Sequence, residues 1–244
     1  MQKISVSKNY THVADIYEHL MRKVRYDYWA DYIYALASNY ITEKATALEI
    51  SSGNCKLARF LSAYYSKLIA TDLSFDMLVK YPSNIKNKIC CDMLRLPFKT
   101  KFDLLISAFD SVNYLTTKRK LAEFMQEVHN RISDGGIFTF DASLEPNSYK
   151  HIKHPIRKGS YKNLNYHQKS EYDPLKKIHK NIFLIQYPNG NVYKEVHIQR
   201  VYAFEEYFKI IEDAGLSVKE CYESFTFKDG SPKSPRVQFV VVKR

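Results

Sequence analysis

The chain has 244 residues, 45% hydrophobic and 26% charged; this suits one packed α/β domain, or a core with a small appendage, and excludes low-hydrophobicity disorder. Lysine and arginine outnumber aspartate and glutamate by 37 to 26, a formal charge of +11, which favours polyanionic or phosphorylated neighbours. No apolar stretch approaches ~18 residues, the first nine residues are polar, and the four cysteines form no C-x-x-C pair, so a membrane span, a zinc or other metal site and a disulfide scaffold are not expected and a reduced, cytoplasmic protein is.

Tyr10 to Asn39 has helical texture and is crowded with aromatics, among them Tyr17, Tyr26 and Trp29. With its flanks it predicts a helical cap over residues 1–44. Ala45–Ile50 is a short apolar run that ends in Glu49 and Ile50, followed by Ser51-Ser52-Gly53. Leu57, Phe60, Leu61 and Tyr64 follow at helical spacing. Lys67–Thr71 is the second run and ends at Asp72. Ser74 is placed to cap a helix carrying Met77, Leu78 and Tyr81, with Pro82 as its stop. Lys88–Asp92 and Phe102–Ser107 are the third and fourth runs. Thr116 or Thr117 caps a longer helix whose Leu121, Phe124, Met125, Val128 and Ile132 share one face. Asp134-Gly135-Gly136 reads as a turn into the fifth run, Ile137–Phe140. Strands alternating with helices imply a mostly parallel sheet.

The pattern changes after Ser143. Between residues 149 and 180 nine lysines and arginines face only Glu171 and Asp173, and half of the eight histidines lie there. Apolar and polar residues alternate through 182–201, and Pro188-Asn189-Gly190-Asn191 is a hairpin turn signal. Residues 150–202 are therefore read as an antiparallel β lid inserted into a core of 45–149 and 203–244. Phe204–Ala214 reads as a helix with Gly215 in the C′ position. Leu216–Phe227 and Val237–Val242 read as the last two strands.

Three carboxylates, Glu49, Asp72 and Asp92, fall at the ends of successive runs. In an open α/β sheet ligands bind outside the carboxyl ends of the strands. A glycine-bearing turn there leads to a helix N-terminus, and an acidic residue 19 positions past Gly53 is placed for ribose hydroxyls. The turn lacks G-x-G-x-x-G and the P-loop pattern, which argues against a dinucleotide or a P-loop nucleotide.

The runs Leu48–Cys55, Ala70–Leu78, Cys91–Met93 and Phe102–Leu115 resemble the class I S-adenosylmethionine-dependent methyltransferases. The likeness is to the small-molecule branch, sugar-amine N-methyltransferases included, with an antiparallel lid after the fifth strand. Ile16–Glu18, Tyr26–Ile33, Asp134–Gly136, Phe140-Asp141 and Arg200–Glu206 through Glu223–Phe227 extend it over nearly the whole chain outside the lid. The resemblance implies a Rossmann-like α/β fold: a seven-stranded, mostly parallel sheet with helices on both faces. It implies S-adenosylmethionine as cofactor and S-adenosylhomocysteine as product. Glu49 would engage the methionine amino group, with Ser51 and Gly53 forming the turn beside it. Asp72 would hold the ribose hydroxyls, with Leu73 next to it also on the cofactor, Met77 would pack near the adenine, Asp92 would meet the adenine amine and Met93 would line its ring. Phe109 would lie beneath the cofactor, with Tyr17 and Trp29 closing over it. The family's turn reads E-x-G-x-G-x-G; here Ser51 and Cys55 replace its first and third glycines, and Cys55 is expected to weaken cofactor binding.

Methyl transfer is an in-line displacement in which the protein mainly orients the reactants and excludes water. A base is needed where the nucleophile arrives protonated; Asp110, Asp141 and the lid histidines His151, His154 and His167 are the candidates. Asn113 and Tyr114, with His151 and His154, are candidates for the acceptor site. The basic lid points to a small, anionic acceptor methylated at nitrogen or oxygen, in a monomer or homodimer. The alternatives are an inactive binding protein of the same fold and a nucleic-acid methyltransferase, the latter disfavoured because an enclosing lid suits small molecules better than long strands.

Overall fold

The computed structural model describes residues 4–81 and 85–244. The chain forms strands β1 (Ile4–Val6), β2 (Thr46–Ile50), β3 (Lys67–Asp72), β4 (Lys88–Cys90), β5 (Phe102–Ser107), β6 (Ile132–Ser143), β7 (Ile156–Tyr161), β8 (Leu164–Asp173), β9 (Ile178–Gln186), β10 (Val192–Arg200), β11 (Leu216–Glu223) and β12 (Arg236–Lys243). The helices are α1 (Val13–Leu20), α2 (Tyr26–Ala37), α3 (Lys56–Leu61), α4 (Phe75–Lys80), α5 (Lys118–Arg131), α6 (Glu145–Ile152) and α7 (Phe204–Asp213), with a 3-10 turn at Ser111–Tyr114.

Seven strands make the main sheet in the order β11-β12-β6-β5-β2-β3-β4. The pairs among β2 to β6 are parallel, and β12 runs antiparallel to β6 and β11. The pleat divides its residues between two faces. Leu48 and Ile50 of β2, Leu105 of β5 and Phe138 and Phe140 of β6 meet α5 and α7 on one face. Ala47, Leu104, Ile106 and Ile137 meet α2 and α3 on the other. Near-continuous apolar strands follow from this double burial, and the expected α/β architecture is observed. The local stop and start signals behave as the residue types dictate. Ser74 Oγ accepts the Met77 amide and Thr117 Oγ1 that of Lys120. Gly215 takes φ +77° just past α7, a left-handed conformation open to glycine at little cost.

Three readings differ from the chain's actual path. Asp134-Gly135-Gly136 is no turn before the fifth strand: α5 stops at Arg131 and β6 already begins at Ile132. β11 ends at Glu223, not Phe227, because Phe225 adopts φ +67°. The N-terminal cap is not helical throughout. β1 joins a second, five-stranded sheet, parallel to β10, in the order β1-β10-β9-β8-β7. A three-residue strand has no periodicity to detect. The stop assigned to Pro82 lies outside the described residues. The second sheet packs over the carboxyl ends of the main one. Asn113 ties the two: its Nδ2 donates to the carbonyls of Ser143 (3.1 Å) and Arg200 (2.7 Å), and its Oδ1 accepts the Ser143 amide (3.0 Å).

Candidate active site

Two cavities lie at the carboxyl ends of the main strands. The first, of about 620 Å³, is walled by the turn after β2, the end of β3 and the start of α4. The turn is left-handed at Ser51 (φ 58°), Gly53 (φ 56°) and Cys55 (φ 57°). A Cβ at Gly53 would stand 3.2 Å from Met77 Cε, so a side chain there would be strained and crowded. Asp72, at the tip of β3, accepts the Gly53 amide (2.7 Å) and the Ser74 amide (2.8 Å). Its carboxylate thereby fixes the turn, while burial pushes its pKa up. Tyr17, Ser51, Leu73, Met77, Met93, Phe109 and Tyr114 complete the wall among the residues singled out from sequence.

Three of the expected cofactor residues stand apart from this cavity. Glu49 is buried beneath the turn, 2% exposed, with Oε2 lacking a hydrogen-bond partner. Burial, then the nearby Asp72 charge, raises its pKa well above the carboxylate range. Asp92 is exposed and its Oδ1 accepts the Leu94 amide at 2.9 Å. Trp29 lines the second cavity, its ring 4.5 Å from that of Phe109. Cys55 is fully buried in the cluster formed with α2 and α3 and does not line the cofactor-side cavity. The groups present fit S-adenosylmethionine: a turn whose left-handed centre favours glycine, a carboxylate at the next strand end, an unpartnered buried carboxylate oxygen below, and Met77, Met93 and Phe109 for an apolar ring.

The second cavity, of about 440 Å³, lies between the two sheets. Asp110, Asn113, Tyr114 and His151, four of the residues put forward from sequence for an acceptor site or a base, line it. His154 is exposed and does not line it, nor does His167. Asp141 is fully buried behind it. The two aspartates share one arginine. Arg236 Nη2 donates to Asp110 at 2.8 Å, and its Nη1 donates to Asp141. Asp141 also accepts the Asp110 amide at 2.8 Å, and Gln199 donates to Asp110 at 2.8 Å. Burial raises the Asp141 pKa while the Arg236 charge pulls it back.

Sequence reasoning missed the other polar groups here. His179 hydrogen-bonds Ser148 Oγ through Nδ1 (3.1 Å), and burial, then the neighbouring His151, pushes its pKa down to about 4. Glu195 and His197 are 0% and 2% exposed. Glu195 accepts the amides of Tyr10 (2.7 Å), His12 (2.5 Å) and Val13 (3.1 Å), anchoring the N-terminal segment to β10. Burial pushes its pKa up, but these amides and His197 outweigh it and hold the carboxyl below its usual range. A signal existed. Glu195, His197 and Gln199 alternate on β10, so a strand shows all three on one face. That face is the inward one, while Ile198 is 39% exposed. The strand is inverted, polar side in.

The cavities share Tyr10, Tyr17, Phe109 and Tyr114 as a common wall. Among the described residues no His, Cys, Asp or Glu cluster could hold a metal, and no helix is long and apolar enough to cross a membrane.

Residues 47–136 match the methyltransferase domain family. YqeM of Bacillus subtilis (strain 168), named as a candidate methyltransferase, is 26% identical over 96% of this chain and 97% of its own length. A crystal structure of an S-adenosylmethionine-dependent methyltransferase from Clostridium acetobutylicum ATCC 824 superposes with a TM-score of 0.77 at 22% identity, covering 95% and 98% of the two chains. The sugar N-methyltransferase KedS8 from Streptoalloteichus sp. ATCC 53650 superposes at 0.73 with 14% identity, covering 93% and 91%. A methyltransferase domain over residues 47–136 thus sits on this sheet and this turn, in the fold of S-adenosylmethionine-dependent methyltransferases, and the protein is read as an enzyme of that activity.

Proposed function

We propose that the enzyme methylates a nitrogen of a small, polar amine held between the two sheets, with amino sugars the first class to test. The observation that carries this reading is the shared wall: a cavity suited to the cofactor adjoins one lined by Asp110, His151, His179 and Gln199. The sugar N-methyltransferase likeness supports the nitrogen acceptor. Most of the lid charge lies outside the cavity. Lys150, Lys153, Lys158, Lys162, Lys169, Lys176 and Lys180 are exposed, and of the basic stretch only Arg157 and the histidines His151 and His179 line the wall. An anionic acceptor is therefore not required by the geometry.

In this reading Ser51, Gly53, Asp72, Leu73, Met77 and Met93 hold the cofactor, Glu49 acts from below the turn, and Tyr17 and Phe109 cover the transfer point. Asp92 sits at the outer rim. The bound cofactor supplies an activated methyl on a positive sulfur. The chain's own task is to align the amine, exclude water and receive a proton. Asp110 faces the cavity and orients the amine; Asp141 supports it through Arg236.

The test has two parts. S-adenosylhomocysteine at about 100 Kd stabilises a protein that binds it only when folded by about 2.7 kcal/mol, which raises the unfolding midpoint. A panel of amino sugars and matched alcohols is then incubated with methyl-labelled S-adenosylmethionine. Labelled amines support the reading. No midpoint shift overturns the cofactor assignments, and labelled alcohols alone overturn the nitrogen.

A further inference from the structure

Four side chains form an unbroken line from the shared wall into the second sheet. Tyr10 Oη and Tyr114 Oη are 2.7 Å apart. Tyr114 Oη lies 3.0 Å from His197 Nδ1. His197 Nε2 lies 3.1 Å from Glu195 Oε2. The remaining Glu195 contacts are backbone amides, so the carboxylate is an acceptor throughout. This fixes the inner end of the line. An ionised carboxylate can only accept, so His197 Nε2–H donates to Glu195. With the ring proton on Nε2 alone, Nδ1 offers a lone pair to the Tyr114 hydroxyl and the Tyr114 oxygen accepts from Tyr10; that is the direction the relay needs and the tautomer measurement below tests. The line runs inward from the wall and ends on a buried negative charge.

We propose that Tyr10, Tyr114, His197 and Glu195 are a proton relay that takes the proton from the acceptor nitrogen. The proposal rests on the nitrogen-acceptor reading above. Tyr10 is the catalytic contact; Tyr114 and His197 pass the proton on; Glu195 is a positioning residue. The ammonium proton passes to Tyr10 Oη, the Tyr10 proton to Tyr114, and the Tyr114 proton to His197 Nδ1. His197 becomes an imidazolium held against Glu195. The nitrogen keeps its freed pair and forms the new N–C bond, while the methyl–sulfur bond breaks and its electrons stay on sulfur. The proton leaves His197 by the same line after release. The titratable groups meeting the ring are Glu195 from its own strand, Tyr114 from the 3-10 turn and Tyr10 from the N-terminal segment; Phe183 of β9 covers another side. Asp110 and Asp141, the carboxylate candidates for a base, are both tied to Arg236, and of the histidine candidates only His151 lines the cavity.

The cavity site alone does not require this arrangement. Burying Glu195 and His197 on a strand whose Ile198 is exposed is costly, and such groups persist when they are fully satisfied or used.

The first measurement is 15N NMR of histidine-labelled enzyme bound to S-adenosylhomocysteine. The expected result is a neutral His197 protonated on Nε2, whose Nδ1 resonance moves when Tyr114→Phe removes its donor. A proton on Nδ1, or a resonance indifferent to that change, overturns the relay. Kinetics on a labelled amine from the panel gives the second reading. Tyr114→Phe and, where it folds, His197→Gln lower kcat/KM about 10²-fold near neutral pH. The loss narrows as pH rises past the amine's own pKa, because the acceptor then arrives unprotonated. A loss independent of pH assigns these residues to packing and overturns the relay. Failure of the panel overturns the acceptor reading and leaves the tautomer result to decide the direction of the line.

Discussion

The two cavities meet at one wall but are built differently. The first, read as the cofactor side, is mostly backbone conformation and one strand-end carboxylate, Asp72, drawn in good part from residues 51 to 93. Its central contact, Asp72 to the Gly53 amide, spans 19 residues. The acceptor side is side-chain pairing across the chain. Arg236 and Asp110 are 126 residues apart, and Tyr114 and His197 are 83 apart. One wall is fixed by what each turn does locally. The other exists only once the second sheet has docked on the first. The two sides are therefore expected to fail separately.

The largest test of that separation is Arg236→Met. It leaves Asp110 and Asp141 facing each other in a buried place without their shared cation, and costs about 3–5 kcal/mol of stability. Urea unfolding measures the loss. Arg236 does not line the cofactor-side cavity, so S-adenosylhomocysteine affinity in the folded fraction is unchanged. A parallel loss of affinity would break the comparison.

Asp72→Ala is the mirror case. It removes a charged acceptor worth about 1.5–3 kcal/mol, or roughly 10- to 150-fold in Kd for S-adenosylhomocysteine. The two amides it releases are at the cavity edge and find water, so global stability falls less than with Arg236→Met. Calorimetry reads both numbers on one sample.

His179 sharpens the acceptor side by pH. Its folded pKa is depressed to about 4 from about 6.5 in an unfolded chain. Between those values the unfolded chain binds the extra proton, so stability is lost as pH falls from 6.5 towards 4. The effect is on the order of 2 kcal/mol. Asp141, raised in the fold, acts in the opposite direction over part of the same window, so the measurement is a difference. Thermal midpoints of wild type and His179→Asn, taken from pH 7 to 4, converge as pH falls. Parallel curves would show that His179 is not buried as a neutral ring.

What sequence could reveal follows the same division. The parallel core was legible because β2, β3 and β5 are apolar runs and because Ser74, Thr117 and Gly215 punctuate helices by short-range chemistry. Gly53 and Asp72 could be picked out because they follow or end apolar runs, whereas Ser51 and Met77 came from the resemblance to the methyltransferases; all four line the first cavity. β1 was not, because three residues carry no period. Glu195 and His197 were passed over because polar residues on an edge-like antiparallel strand ordinarily face water. Nothing in residues 192–200 alone says that the N-terminal segment will cover them. The basic balance of the lid was read as pointing to an anionic acceptor, but charge counted along a strand does not say which face carries it, and long cations usually take the wet one.

Cys55→Gly has the smallest expected effect and bears most directly on how the cofactor wall is read. From sequence, a cysteine in place of the turn's third glycine crowds the cofactor, and glycine relieves it. In the fold the residue is left-handed at φ 57°, yet its side chain points into the cluster under α2 and α3, with Sγ 3.5 Å from Ser52 Oγ. Glycine removes about 1 kcal/mol of left-handed strain and forfeits about as much in buried packing. The two nearly cancel in stability. Because no Cys55 atom reaches the cavity wall, Kd for S-adenosylhomocysteine changes by less than about threefold, well under 1.4 kcal/mol. Titration calorimetry on the two proteins settles it. A tenfold gain in affinity would mean that the cofactor meets residue 55 directly, and the wall would then have to be redrawn to include the start of α3.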